Sequence, residues 1–374
     1  MSEPLDVARY IFMNEEGELR SGWRILAFFM FFILAASLLM ALSKVFTTLF
    51  PSFNASLAEP AASDSLSTSG LMSLYFGNLR NLAGAAIASA ISARMLERRS
   101  LASIGFRLHR NWQRDFALGC AMGAAALAIA VGIAAAFETI TFSVQTRDLA
   151  SISKGFMIAF LFFLIAGATE ELIFRGFPFQ ALVHNLGGFA AVAITSILFG
   201  LAHLANPSAS AFSTINTILA GVWLGLAYLL TRSLWFATAL HCSWNLAMVF
   251  IFGLPVSGFT TLDQLAWLRG SIGAPAWISG GSYGPEGGVA VTAALVLSTI
   301  AIWKSGLFTP SDEMLAAIHH GRREPAFISI VAAETESTPP RSEEHAETGS
   351  DVETRRAAVN GEPDGSQNSN GDER

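Results

Sequence analysis

Three short clusters in this chain of 374 residues place ionisable or strongly polar side chains inside otherwise apolar stretches. The first reads Ala-Thr-Glu-Glu-Leu-Ile-Phe-Arg and holds Glu170, Glu171 and Arg175. Glu171 and Arg175 are four apart, so on a helix they share a face and can pair. Glu170 is turned by about 100° from Glu171 and points elsewhere. Two adjacent carboxyl groups in a low dielectric cannot both ionise cheaply, so one of them is suited to move a proton to or from a reacting group. The second cluster is Phe199-Gly-Leu-Ala-His203, an imidazole one turn from an aromatic ring. In the third, His241-Cys-Ser-Trp-Asn245, an imidazole and a carboxamide share a helix face and can donate together to one developing negative charge.

Each cluster alone has a bland reading. The first could be an ion pair near a membrane surface. A single buried histidine is more often a satisfied hydrogen-bonding residue than a catalyst, and Phe199 alone is core packing. The third could bond one helix to another in lipid. Together they are harder to dismiss, because ionisable groups in hydrocarbon cost on the order of 3 kcal/mol each and mark function. Three clusters of complementary chemistry on three separate apolar segments point to one reactive site. Asn78, Arg80, Asn81 and Asn216 read as helix-interface residues, with a cavity or entrance as the alternative for Arg80. Cys120 and Cys242, both in apolar runs, read as small core residues. The His319-His320 pair carries no assigned role.

The elements that must position these residues are membrane helices. The chain is 52% hydrophobic and only 14% charged, with mean hydropathy +0.47, against about 25% charged in a soluble domain. Runs near the 20 residues needed to cross a bilayer fall at about 23–43, 71–93, 115–137, 155–177, 189–206, 212–230, 234–254 and 287–303. The expectation is an all-α, polytopic membrane bundle of about eight transmembrane helices. It divides into a cytoplasmic N-terminal segment (1–22), a helical domain (23–304) and an acidic, largely disordered cytoplasmic tail (305–374). The first run lacks a small-residue cleavage site and reads as a retained span. Residues 305–374 hold 14 Asp and Glu against 6 Lys and Arg, which leaves residues 1–304 at about +2 of the net charge of -6. The acidic balance therefore belongs to the tail, which reads as disordered beyond about Glu334.

Basic residues set the orientation. Arg9, Arg20 and Arg24 precede or open the first span, and Arg94, Arg98, Arg99, Arg107, Arg110 and Arg114 fill the loop after the second. Arg232, Lys304, Arg322 and Arg323 follow later even-numbered spans. Both termini are then cytoplasmic, with Lys44, Arg147, Lys154 and Arg269 scattered singly on the outer side. The Gly-, Ser- and Pro-rich loop at about 255–286 reads as interfacial, with Trp267 and Trp277 at headgroup depth. No internal repeat and no nucleic-acid motif is present.

Glu-Glu-x-x-x-Arg, Phe-x-x-x-His and His-x-x-x-Asn, in this order, resemble the motifs of the CPBP family of intramembrane proteases, which includes type II CAAX prenyl endopeptidases and bacteriocin-immunity-type proteins. The resemblance covers roughly 155–250; Gly17 to Arg24 and Arg98 to Gly105 also look like bacterial members. It implies a cavity between eight helices in which Glu170 and His203 activate a water while His241 and Asn245 stabilise the oxyanion, with Glu171, Arg175 and Phe199 in structural support. It further implies an endopeptidase in a membrane (plasma or inner membrane in a bacterium), acting on a protein or peptide with a hydrophobic or lipidated end. The family is often described as metalloproteases. Glu170, His203 and His241 are chemically plausible ligands for zinc or another divalent metal, but His-Glu-x-x-His is absent, and a metal-free mechanism with glutamate as base stands slightly ahead. The rival readings are a non-catalytic scaffold or immunity-type binding protein, and a transporter, against which the absence of an inverted repeat counts.

One strain is visible in advance. If the fourth span ends near 177, Glu170 lies near its cytoplasmic end while His203 lies near the outer end of the fifth. Either the fourth helix continues past Pro178 toward Val183, or the fifth is short and tilted.

Overall fold

The structure, a computed structural model, describes residues 10–14, 17–50 and 68–318. Contacts divide the chain into Met1–Thr335 and Glu336–Arg374, and all described residues lie in the first unit. The segment expected to be disordered and the His319-His320 pair fall outside the described residues.

Among the described residues, ten helices of seven or more residues carry the architecture: α1 Ser21–Leu49, α2 Thr68–Leu96, α3 Trp112–Ala136, α4 Leu149–Phe174, α5 Phe177–Leu186, α6 Gly188–Ala202, α7 Ala211–Thr231, α8 Leu234–Leu246, α9 Val289–Lys304 and α10 Asp312–Ile318. Each of the eight apolar runs read from the sequence falls on one of these helices. Among the described residues, five segments are long and apolar enough to cross a membrane: Ser21–Leu49, Trp112–Ala136, Leu149–Leu186, Ala211–Thr231 and Leu234–Ile251. Gly188–Ala202 and Val289–Lys304 are apolar but shorter. Eight helices are thus present where expected, and five of those positions meet the length and composition of a full crossing. The surface has the character of an integral membrane protein, since α1 exposes Leu26, Met30, Ile33, Leu34 and Leu38 along its outer face. Such a stripe is costly in water and neutral in lipid.

Sequence explains the breaks. The Asp148 side chain accepts from Ser151 N and caps α4, and Ser210 and Ser213 form a reciprocal capping box at α7. After Phe174 the chain turns at Arg175 and Gly176, and Pro178, tolerated in a first helical turn, starts α5. Gly187 at φ 85° then allows the turn into α6. This resolves the strain at the site. Helical chain continues past Pro178 to Leu186, so Glu170 lies well inside the fourth segment, and α6 is short, 15 residues, with His203 as its C-cap.

The core forms where α8 lies against α3. Small residues on α3 permit the approach: a Cβ on Gly119 would lie 2.5 Å from the Phe236 carbonyl oxygen, and one on Gly123 would lie 2.2 Å from both the Leu240 carbonyl oxygen and Ser243 Oγ. Beyond its regular turns α8 continues as a π turn, Ala247–Ile251. That widening begins just past Asn245, and such turns recur at functional sites.

One expectation needs correction, and two others gain detail. The fold is not purely helical, because Ile140–Val144 and Leu268–Ile272 pair as an antiparallel ribbon with Ile140 opposite Ile272 and Val144 opposite Leu268. Two segments of five residues, far apart in sequence, give little local signal. Two of the orientation markers, Arg24 and Arg232, are buried within the protein. Arg24 sits between Glu18 at 2.7 Å and Glu97 at 2.9 Å, and Glu97 also meets Arg99 at 3.1 Å. Arg232 caps α7 in a left-handed conformation, φ 55°. Lastly, the stretch assigned to the tail begins with α10, where Met314 is buried.

The α3–α8 contact predicts opposite outcomes for two glycines on one helix. Gly123→Ala should destabilise the folded protein by about 1–3 kcal/mol through overpacking. Gly132→Ala, with nothing within 4 Å of the new methyl group, should be neutral or stabilising by up to about 1 kcal/mol. Thermal unfolding in detergent reads both.

Candidate active site

α4, α6 and α8 bring the three clusters together. Glu170 projects from the last turns of α4, and its Oε2 lies 3.9 Å from His203 Nε2 at the end of α6 and 3.8 Å from His241 Nε2 on α8. These separations are longer than direct hydrogen bonds. The side chains of His203 and His241 are 17% and 10% exposed, against 35% for Glu170, so the carboxylate is the most open member. All three line a cavity of about 520 Å³, within the usual range for a ligand site, and Phe199 and Asn245 line it too.

The ring orientations follow from their outer partners. His203 Nδ1 lies 2.7 Å from the Phe199 carbonyl oxygen, one turn back on its own helix. His241 Nδ1 lies 2.9 Å from Glu171 Oε1. Both partners are acceptors, so each Nδ1 carries hydrogen and each Nε2 faces Glu170. Where Nε2 is unprotonated it is an acceptor there, and such convergent acceptors suit a water or a proton between them.

Glu171 does more than pair within its helix. Its Oε1 receives Arg175 Nη1 at 3.1 Å as well as His241 Nδ1. Arg175 Nη2 donates to the Gly221 carbonyl oxygen on α7 at 3.1 Å. The side chains of Glu171 and Arg175 are fully buried. Phe199 packs beneath this group: the Arg175 guanidinium lies 4.6 Å from its ring centre, and the His203 and His241 rings lie 4.7 and 6.0 Å away. Read alone it was core packing; in place it touches three of the motif side chains.

Asn216 and Arg80 stand differently toward the cavity. Asn216 donates to the Glu286 and Gly288 carbonyl oxygens and accepts from Thr292 Oγ1, so it does bond one helix to another, and also ties down a loop. Arg80 is not among the residues lining the cavity. Cys120 and Cys242 are both free, and Cys242 is buried.

Glu286 was missed by sequence reasoning. It lines the same cavity and accepts from Trp244 Nε1 at 3.2 Å, Ser257 N at 2.6 Å and Ser257 Oγ at 2.8 Å. The loop expected to be interfacial does expose Trp267 and Trp277, yet Val256, Ser257, Phe259 and Leu262 of the same loop close the cavity. A lone glutamate in a Gly-rich stretch, with no motif spacing around it, offered no signal.

The metal candidates of the sequence were Glu170, His203 and His241. As placed they do not fit a metal site. Their separations of 3.8 and 3.9 Å exceed the distance of about 3.4 Å that two donors on tetrahedral zinc leave between them. Among the described residues no group of three or more His, Cys, Asp and Glu side chains is spaced to hold a metal ion.

The contrast between the two glutamates is testable. Glu171→Ala leaves Arg175 buried without its carboxylate and should cost about 3–5 kcal/mol. Glu170→Gln, at the open cavity wall, should change stability by no more than about 0.5 kcal/mol. Chemical denaturation of the two variants in the same detergent separates the roles.

Comparison with curated proteins gives no match, and comparison with solved structures gives none. Residues 152–247, which carry all seven motif residues from Glu170 to Asn245, match the model of the family described as type II CAAX prenyl endopeptidase Rce1-like.

Proposed function

We propose that this chain is an intramembrane endopeptidase of the CAAX-processing type, hydrolysing a peptide bond of a membrane-associated protein or peptide. The observation that carries the reading is the convergence of Glu170 Oε2 with the Nε2 atoms of His203 and His241 in one cavity. The Rce1-like match over the same residues supports it.

The chemistry follows from these atoms. A water between Glu170 and His203 gives one hydrogen to the carboxylate and the other to His203 Nε2. Its oxygen lone pair is then directed at a peptide carbonyl carbon. As the water attacks, Glu170 takes its proton, which is general-base catalysis. Negative charge grows on the carbonyl oxygen, and His241 Nε2–H and the Asn245 amide donate to it. His241 can donate there as an imidazolium, because Glu171 at its Nδ1 stabilises that cation. The C–N bond then breaks, and Glu170 passes its proton to the departing amine. The products are a new carboxylate and a new amine. The seven apolar helices and the exposed apolar stripe of α1 support a bilayer setting, and cytoplasmic termini follow from the clusters of arginine.

A scaffold or immunity-type binding protein is the rival. It has no need of an open carboxylate facing two oriented imidazoles, and for that reason the peptidase is favoured.

Cleavage of a peptide library by purified protein tests the proposal. Glu170→Ala and His203→Ala should each lower kcat/KM by about 10²–10⁴-fold. A chelator should leave the rate unchanged. Cleavage that survives both substitutions contradicts the mechanism, loss with chelator restores a metal, and no cleavage by any form moves the reading to the binding protein.

A further inference from the structure

The cavity contains a second carboxylate that the proposed chemistry does not use. Glu286 lies outside the matched segment 152–247, and its three donors, Trp244 Nε1, Ser257 N and Ser257 Oγ, are all neutral. These bonds pin the loop to α8, but pinning needs only an acceptor, and a neutral amide oxygen would serve. A carboxylate withdrawn from bulk water costs free energy unless something balances its charge. The described residues that line the cavity include two glutamates and two histidines, and no lysine or arginine. At the end of the cavity where it is held, the Glu286 carboxylate favours a ligand group of the opposite sign.

Position relates this charge to the reacting atoms. Trp244 lies three residues after His241, about 4.5 Å further along α8, and both side chains line the cavity. Glu286 is bonded to Trp244. An extended peptide advances about 3.3 Å per residue, so a group that meets Glu286 lies within about three residues of the carbonyl held at His241.

On the peptidase reading above, we propose that Glu286, fixed by Ser257 and Trp244, is a specificity subsite that takes a cationic substrate side chain, a lysine ammonium or an arginine guanidinium, within about three residues of the scissile bond. Glu286 is a specificity-determining residue and takes no part in bond breaking.

The test separates binding from cleavage. Full-length Glu170→Gln protein, silenced at the proposed base, is titrated with fluorescent peptides that differ at one position by lysine, norleucine or glutamate. Lysine should bind about tenfold or more tighter than norleucine at one position, with glutamate weakest, and higher salt should narrow the gap. In Glu170→Gln/Glu286→Gln the lysine advantage should vanish while norleucine binding changes less than about threefold. Glu286→Asp retracts the charge by one methylene and should shrink the advantage several-fold; it carries the test if the glutamine variant does not fold. No lysine preference, or one that persists without the Glu286 charge, overturns the subsite. Wild-type turnover of the same peptides tells the two claims apart. A lysine preference in binding without cleavage by the wild type sinks the peptidase and keeps the subsite. Cleavage indifferent to lysine, with indifferent binding, does the reverse.

Discussion

The site depends on one buried interaction, the carboxylate of Glu171 held between Arg175 on its own helix and His241 on α8. A charge with no exposure is tolerated only when it is paired with an opposite charge. That requirement fixes the face α4 presents to α8, and Arg175 extends it to α7 through the Gly221 carbonyl oxygen. Three helices are thereby held in one register. Because Glu170 is the next residue, its side chain is turned away from the pair and into the cavity.

The rest of the bundle makes that interaction possible. Glycines on α3 let its backbone approach α8 closely, and α8 presents His241 on one side and its packing face on another. The short α6 ends at His203, whose ring is set by a hydrogen bond to the carbonyl one turn back. The loop through Ser257 and Glu286 closes the cavity and is tied to α8 through Trp244. Each histidine nitrogen that faces Glu170 does so because the other nitrogen is already committed.

Much of this was legible in the sequence. The apolar runs locate eight helices, five of them within segments long and apolar enough to cross a membrane, because lipid imposes the same composition wherever a helix crosses. The i, i+4 spacings of Glu171 with Arg175 and of His241 with Asn245 are local, so they survive folding. What was not legible is long-range. The Glu171–His241 contact spans 70 residues, and nothing near either residue announces the other. Glu286 and the β ribbon were missed for the same reason. The burial of Arg24 was equally hidden, because its partner Glu97 lies far along the chain. The location of Glu170 was ambiguous until the break at Arg175 and Gly176 showed that helix resumes and runs on to Leu186.

The central claim is that Glu170 and His203 act on one and the same water. A double-mutant cycle under single-turnover conditions tests it most directly, using substitutions mild enough to leave measurable cleavage, Glu170→Asp and His203→Asn. Groups that act as a unit lose their effect together, so the double variant should be no more than a few-fold slower than the slower single variant. Losses that multiply, as for two independent groups, would contradict the account.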